Sequence, residues 1–279
     1  MHFASLTHTP ISQITACFNE AFSDYFVAFH ATEDYFRDRW QAAGVDYGLS
    51  VGAFDGEKLV GFMILCTGTK DGLPTAHNAG TGVIPAYRGR RLVAAMYDYV
   101  RPKLKTAGIR QSTLEVITQN EKAIKAYERV GYHIIRKVHC FSGRVNQMEG
   151  AATKDGQVIK TQHIDWPLLA TLPPHRATWE QRPEVIAARA ALYECWQLWE
   201  GDDLKAYIIL NPATGQMQSF SAVAGGELRY GLPLIQAIGN EIPTLSINNV
   251  DEQENGWLAV FEQAGLNNAI DQYEMKWML

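Results

Sequence analysis

The residues best equipped for chemistry lie in one stretch, Val83-Ile84-Pro85-Ala86-Tyr87-Arg88-Gly89-Arg90-Arg91-Leu92-Val93. A β-rich run ends at a proline, crosses a short basic loop and enters a segment of helical period. The first turn of a helix has unpaired backbone N–H groups and a partial positive charge, so a loop leading into one is an anion cradle. Gly89 lets backbone approach a ligand closely, and Arg88, Arg90 and Arg91 add full positive charge suited to phosphate. A solvated basic turn has the same composition, and the arginines alone do not separate the two. Further along lie Asn120, Tyr127 and the carboxylate Glu115, with His77 upstream of the loop. A phenol near its ordinary pKa can donate a proton at neutral pH, while a carboxylate or imidazole can accept one.

The elements that must position these groups are readable around them. Ile14, Cys17, Phe18, Ala21, Phe22 and Tyr25 form an i, i+3, i+4 stripe and predict an amphipathic helix. A second short helix is predicted over residues 33–43, with Thr32 as N-cap and Gly44 as its stop. Two β-rich runs flank Asp55-Gly56, a preferred hairpin pair. Another strand falls near residues 77–83, ended by Pro85. Leu92, Met96, Val100 and Leu104 then repeat every four residues, with Gly108 closing the helix. Residues 112–117 read as a strand. Asn120 caps a helix whose inner face is Ala123, Ile124, Tyr127 and Val130, stopped by Gly131. With a last strand region from Tyr132, the order is α-α-β-β-β-α-β-α-β, a mixed α/β domain over residues 1–143.

The two motifs, Val83-x-Pro85-x-Tyr87-Arg88-Gly89 and Asn120-Glu121-Lys122-Ala123-x-x-Ala126-Tyr127-Glu128-x-x-Gly131-Tyr132, resemble the two most characteristic segments of the GNAT acetyltransferase family. The resemblance covers nearly all of residues 1–143. It implies the acyl-CoA N-acyltransferase fold and acetyl-CoA as cosubstrate, with no metal. It further implies pyrophosphate held by the amides of the loop and helix start, from Arg88, Gly89, Arg90 and Arg91 to Leu92 and Val93. Gly82, Val83 and Ile84 would align the pantetheine arm by β-like hydrogen bonds, and Asn120 would contact that arm. Tyr127 would protonate the departing thiolate; without the motif it reads as a core aromatic. The family usually has Gly where this chain has Arg91, and Gly or Ala where it has Val93. The base stays open between Glu115 and His77, since alternation does not say which face meets substrate. Glu115 reads equally as a structural or substrate-orienting carboxylate. Phe22, Asp24, Tyr25 and Phe26 resemble the acceptor-recognition region, or simple core packing.

Competing motifs fall away on context. Gly48-Leu49-Ser50-Val51-Gly52 fits a hydrolase elbow, but a hairpin rather than a helix follows the serine. Gly80-Thr81-Gly82 lacks the third glycine of a dinucleotide loop. The cysteines, Cys17, Cys66, Cys140 and Cys195, form no C-x-x-C pair and no His pair has zinc-ligand spacing, so neither a metal site nor a disulfide scaffold is expected. No signal-like segment or long apolar run is present, and a reduced, cytoplasmic protein off the membrane is expected.

Beyond a polar connection at residues 144–162, with a small hairpin expected at Asp155-Gly156, a second unit is predicted over residues 163–279. Aligning Val116 with Val250 and Gly131 with Gly265 gives the same offset, 134, with no gap between them. At that offset Tyr127 becomes Phe261 and Asn120 becomes Glu254, and near Gly231 only Arg229 remains as a cation. The expectation is two GNAT-like mixed-sheet domains in tandem, the second degenerate and a poor binder of acetyl-CoA. The chain has 279 residues, 47% apolar and 20% charged, with a net charge of −5, which argues for folded domains and against a nucleic-acid binder. That charge is unevenly divided: residues 1–143 carry 16 Lys+Arg and 13 Asp+Glu, whereas residues 144–279 carry 9 and 17. A cationic first half suits a polyphosphate ligand. The leading expectation is therefore an N-acetyltransferase acting on a small-molecule or peptide amine. A non-catalytic acyl-CoA-binding or regulatory protein of the same fold is the alternative.

Overall fold

A computed structural model describes residues 1–24, 30–146 and 156–279. Tyr25 and Phe26, expected near the acceptor, lie outside the described residues, as does Asp155 of the expected small hairpin. The chain forms two compact units, Met1–Ile135 together with Glu274–Leu279, and Arg136–Tyr273.

In the first unit β1 (His2–Ser5) is followed by α1 (Ile11–Ala21), α2 (Glu33–Ala42), β2 (Val51–Asp55), β3 (Lys58–Lys70) and β4 (Leu73–Val83). Then come a 3-10 turn (Pro85–Tyr87), α3 (Leu92–Thr106), β5 (Gln111–Ile117) and α4 (Glu121–Val130). The predicted starts and stops operate: Thr32 and Asn120 accept from the amides of Tyr35 and Ala123, and Gly44, Gly108 and Gly131 all take positive φ. The short β1, too brief to show a period, was not foreseen; it pairs antiparallel with β2.

The strands run in the order β1-β2-β3-β4-β5, closed beyond β5 by the C-terminal strand. Register assigns the faces. Phe62 stands opposite Gly82 in β4 and packs on Phe18 of α1, whereas Leu65 stands opposite Asn78, whose amide bonds Tyr97 of α3. Positions three apart on a regular strand point to opposite faces, so α1 covers one face and α3 the other. Ile14, Phe18, Phe36 and Trp40 form the core of the first face, and Met96, Tyr97, Val100 and Leu104 that of the second.

The unit boundaries differ from those expected. The strand β6 (His133–Arg144) passes into the second unit at Arg136, while the last six residues complete the first. Trp277 explains the latter: its ring packs edge-on to Tyr97 at 6.0 Å, against Tyr132 at 5.7 Å, and under the guanidinium of Arg101 at 4.7 Å. Lys70 and Glu274, both buried, pair at 2.6 Å.

The second unit comprises β6 from Arg136, β7 (Gly156–Thr161), α5 (Trp166–Leu169), α6 (Pro183–Ala187), β8 (Glu194–Glu200), β9 (Asp203–Asn211) and β10 (Gln216–Ala222). They are followed by α7 (Leu232–Glu241), β11 (Thr244–Asp251), α8 (Asn255–Gln263) and β12 (Asn267–Met278), with β12 up to Tyr273 in this unit. Its strand order is β12-β6-β11-β10-β9-β8-β7. The expected connection is thus partly sheet: residues 156–161 are an edge strand paired with β8, and Gly156 opens it. Its mostly exposed side chains gave no alternation to read. The repeat is visible in three dimensions, since α4 and α8 start 134 positions apart and end before Gly131 and Gly265, both at positive φ. Among the described residues no helix is long and apolar enough to cross a membrane.

Because Trp277 fills the second face of the first unit's sheet, Trp277→Ala should cost about 3–5 kcal/mol. Urea unfolding of the full chain should show the first unit's transition at lower denaturant; an unmoved midpoint would contradict this packing role.

Candidate active site

Strands β4 and β5 pair in parallel over only three positions, Thr75 with Gln111, Ala76 with Ser112 and His77 with Thr113. Immediately beyond, β4 carries a bulge, its register against β3 jumping from Asn78 to Gly80. A bulge bends its strand and sharpens the twist, which re-aims the end of β4 away from β5. Asn78 fixes the bend, its side chain accepting from the Gly80 amide at 3.1 Å and donating to Tyr97 Oη at 2.8 Å. The two strands therefore open a gap between their C-terminal ends.

At the gap's β4 edge, the Ile84 amide donates to Val60 of β3 at 3.0 Å. Alternation then turns the backbone of Thr81 and Val83 toward the gap and that of Gly82 toward β3. Of the three residues expected to align an extended ligand, Val83 presents its backbone there, while Gly82 and Ile84 bond the sheet. Gly82 has a packing reason instead: a Cβ would lie 2.8 Å from Phe62 and 2.9 Å from Ala21.

Past the 3-10 turn, the amides of Gly89, Arg90, Arg91, Leu92, Val93 and Ala94 have no acceptor among the described residues; the first bond of α3 is Ala95 N–H to Arg91. Gly89 and Arg91 take φ of 77° and 60°. Left-handed residues between helical or extended ones curl successive amides into an anion-binding concavity. A Cβ on Gly89 would meet nothing within 4 Å, so the approach is open.

The three arginines differ in role. Arg88 is committed to structure: it forms a forked pair with Asp24 at 2.6 and 2.7 Å, and also reaches the carbonyls of Ala21 at 2.8 Å and Val83 at 3.2 Å. The hydrogen bond from Arg88 holds the Asp24 carboxyl below its usual range. The expected phosphate charge at Arg88 is therefore spent on tying α1 to the loop. Arg90 folds back over the Tyr87 ring at 4.6 Å and onto the Ala86 carbonyl. Arg91, exposed, has no partner among the described residues, and is the cation beside the cradle.

On the α3 and α4 face, Tyr97, Tyr127 and Tyr132 meet edge to face, with Tyr127 5.8 Å from Tyr132 and 6.4 Å from Tyr97. Tyr132 and Tyr97 are buried and bonded in a chain with Ser112 and Asn78. Burial raises both phenols, Tyr132 to about 12. Tyr127 is the half-buried member, on the inner side of α4. Asn120 spends its carbonyl oxygen on the Ala123 amide at 3.2 Å. On the α1 face, His77 and Glu115 prove to be neighbours rather than alternatives. The imidazole Nε2 lies 3.4 Å from the Glu115 carboxylate and Nδ1 lies 3.1 Å from Thr113 Oγ1. Register puts all three on that one face, at the point where pairing ends. Sequence reasoning missed Asn78, Ser112, Tyr97 and Tyr132. The one signal was the polar pair His77-Asn78 in mid-strand, just before Gly80.

Arg91 caps α3 in the left-handed region with no side-chain hydrogen bond, a conformation that costs an L-residue about 1–2 kcal/mol. Arg91→Gly is expected to stabilise the chain by about 0.5–1 kcal/mol while removing the free charge. A melting curve shifted downward would contradict this.

Residues 15–132 match the model of the acetyltransferase (GNAT) family. Comparison with curated proteins gives no match. Among solved structures, the chain is similar to a tandem GNAT protein from the clavulanic acid biosynthesis pathway, solved without acetyl-CoA. That likeness has 14% identity and a TM-score of 0.72, over 99% of this chain and 98% of that one. A GCN5-related N-acetyltransferase from Sphaerobacter thermophilus is similar at 11% identity and a TM-score of 0.72, over 99% and 95% of the two chains. A GCN5-related glucosamine N-acetyltransferase region of a fungal multi-domain β-N-acetylglucosaminidase is similar at 13% identity and a TM-score of 0.70, over 98% of this chain and 38% of that one. At such identities the likeness is one of fold. The first unit thus carries the match to the acetyltransferase (GNAT) family model, and over its whole length the chain shares the mixed α/β fold of the tandem GNAT protein to which it is similar.

Proposed function

We propose that the first unit is an N-acetyltransferase that moves the acetyl group of acetyl-CoA to a primary amine. The observation that carries this reading is the conjunction of six unpaired amides at the start of α3 with the open β4 edge leading away from them. The amide cradle and Arg91 suit a pyrophosphate, and the outward backbone of Thr81 and Val83 suits an amide-bearing arm lying as a false strand in the gap. Cradle and edge together match one substrate class, an acyl thioester on a long phosphorylated carrier.

The gap joins the two faces of the sheet, and the titratable groups lie on either side. From the α1 face the amine nitrogen attacks the thioester carbonyl carbon. Glu115, backed by His77 and Thr113, takes the amine proton directly or through a water. When the carbon–sulfur bond breaks, Tyr127 gives its proton to the sulfur from the other face and is restored from solvent. The buried phenols of Tyr97 and Tyr132 hold Tyr127 in place rather than titrating. The similar proteins described as N-acetyltransferases, one of them acting on glucosamine, support an amine acceptor in class.

Thiol release from acetyl-CoA with a panel of amines tests the activity. Tight binding without any release of CoA would instead make the chain an acyl-CoA-binding protein. With an active amine found, Tyr127→Phe should lower kcat about 100-fold and leave acetyl-CoA affinity within a few-fold. Unchanged turnover would remove Tyr127 as the acid. His77→Gln and Glu115→Gln should each lower kcat about 10- to 100-fold, with acetyl-CoA binding again retained. Full activity in both variants would exclude this pair as the base.

A further inference from the structure

The second unit repeats the opened strands. Its parallel pair, β10 and β11, is joined only at Gln216 with Ser246 and Met217 with Ile247, yet the strands continue to Ala222 and Asp251. Here the gap is occupied by the chain itself. On the β10 side, Pro173 accepts from Ser221, and the His175 ring stacks on Phe220 at 4.6 Å. On the β11 side, Gln181 donates to the Asn248 carbonyl at 2.6 Å and Asn249 donates to Thr178 at 3.3 Å. In between, Arg136 of β6 takes the carbonyls of Arg176 and Ala177 at 2.7 and 3.2 Å, and pairs with buried Asp251. Thr178 and Trp179 are buried. Burial holds the His175 imidazole down at about 4, so it stays neutral in this position.

The cradle is missing as well. Where the first unit has an open loop before α3, the second winds residues Glu227–Gly231 into a π-helical turn that runs straight into α7, and Gly231 is already helical. Amides that would begin α7 therefore follow helical residues whose carbonyls they can reach. Arg229, the remaining cation, pairs with Glu200 at 3.0 Å.

We infer that residues 173–181 are a built-in occupant of the second unit's cleft, a peptide lying where an acyl-CoA arm would lie, so that each chain takes a single acyl-CoA. The inference rests on the proposed function only in its choice of probe. Titrating the full chain with acetyl-CoA should saturate at one equivalent, and Arg91→Glu in the first unit should weaken that binding at least tenfold and uncover no second phase. Hydrogen exchange supplies a readout that needs no ligand. The Arg176 amide, bonded to Glu254 at 3.1 Å, and the Thr178 amide, bonded to Gln181, should exchange roughly 100-fold slower than unstructured amides. Saturating acetyl-CoA should not change those rates. A second equivalent, an equivalent that survives Arg91→Glu, or coil-like exchange at both amides would overturn the inference. A chain that binds no acetyl-CoA would refute the proposed function, leaving the exchange rates to decide this one.

Discussion

The first unit depends on the place where β4 and β5 stop pairing. Three parallel pairs hold the strands together up to His77 and Thr113, and the bulge fixed by Asn78 then turns β4 aside. A sheet normally satisfies its own backbone groups, and here a run of them faces a gap. The parting also places polar side chains in the buried middle of the sheet. Those side chains are held by bonds to one another: Asn78, Tyr97, Tyr132 and Ser112 on one face, and His77, Thr113 and Glu115 on the other. Half-satisfied networks of this kind are costly in a core, so the completeness of the phenol chain explains how the gap is kept open without a collapse of the strands.

The loop before α3 is the complementary half of the site. Its amides are unpaired because Gly89 and Arg91 sit in the left-handed region, and that backbone is held by contacts behind it. Arg88 has the largest part in this, since one guanidinium fastens the end of α1, the end of β4 and the loop together. Exposed ion pairs contribute little to stability singly. Here the forked geometry matters for shape, because it fixes the entrance of α3 against the helix that covers the opposite face.

Much of this was legible in the chain because local signals and tertiary structure agree. Thr32, Asn120, Gly44, Gly108 and Gly131 act where their side-chain chemistry or lack of a Cβ says they should. The run of unpaired amides before α3 was readable from strand, proline, glycine and helix in sequence. What stayed hidden was set by partners remote in the chain. The fate of the three arginines depends on Asp24, Tyr87 and open solvent, and composition cannot rank them. His77 and Glu115 looked like competitors until strand register made them neighbours. Faces are assigned by pairing, and a single bulge at residue 79 reverses the assignment beyond it. The second unit's helices and glycines kept their offset, but residues 173–181 have no periodicity to announce that they fill a gap.

The first unit also takes its closing strand from residues 274–279. Trp277 meets Tyr97 and Tyr132 in space, yet is made about 145 residues after Tyr132. As the chain leaves the ribosome, the family-matching segment can collapse early but cannot close its sheet until the whole second unit has been synthesised. The exposed edge of β5 must wait through that interval, a period in which an unpaired strand is open to wrong partners. Tandem construction thus makes the first unit the first to begin folding and the last to finish.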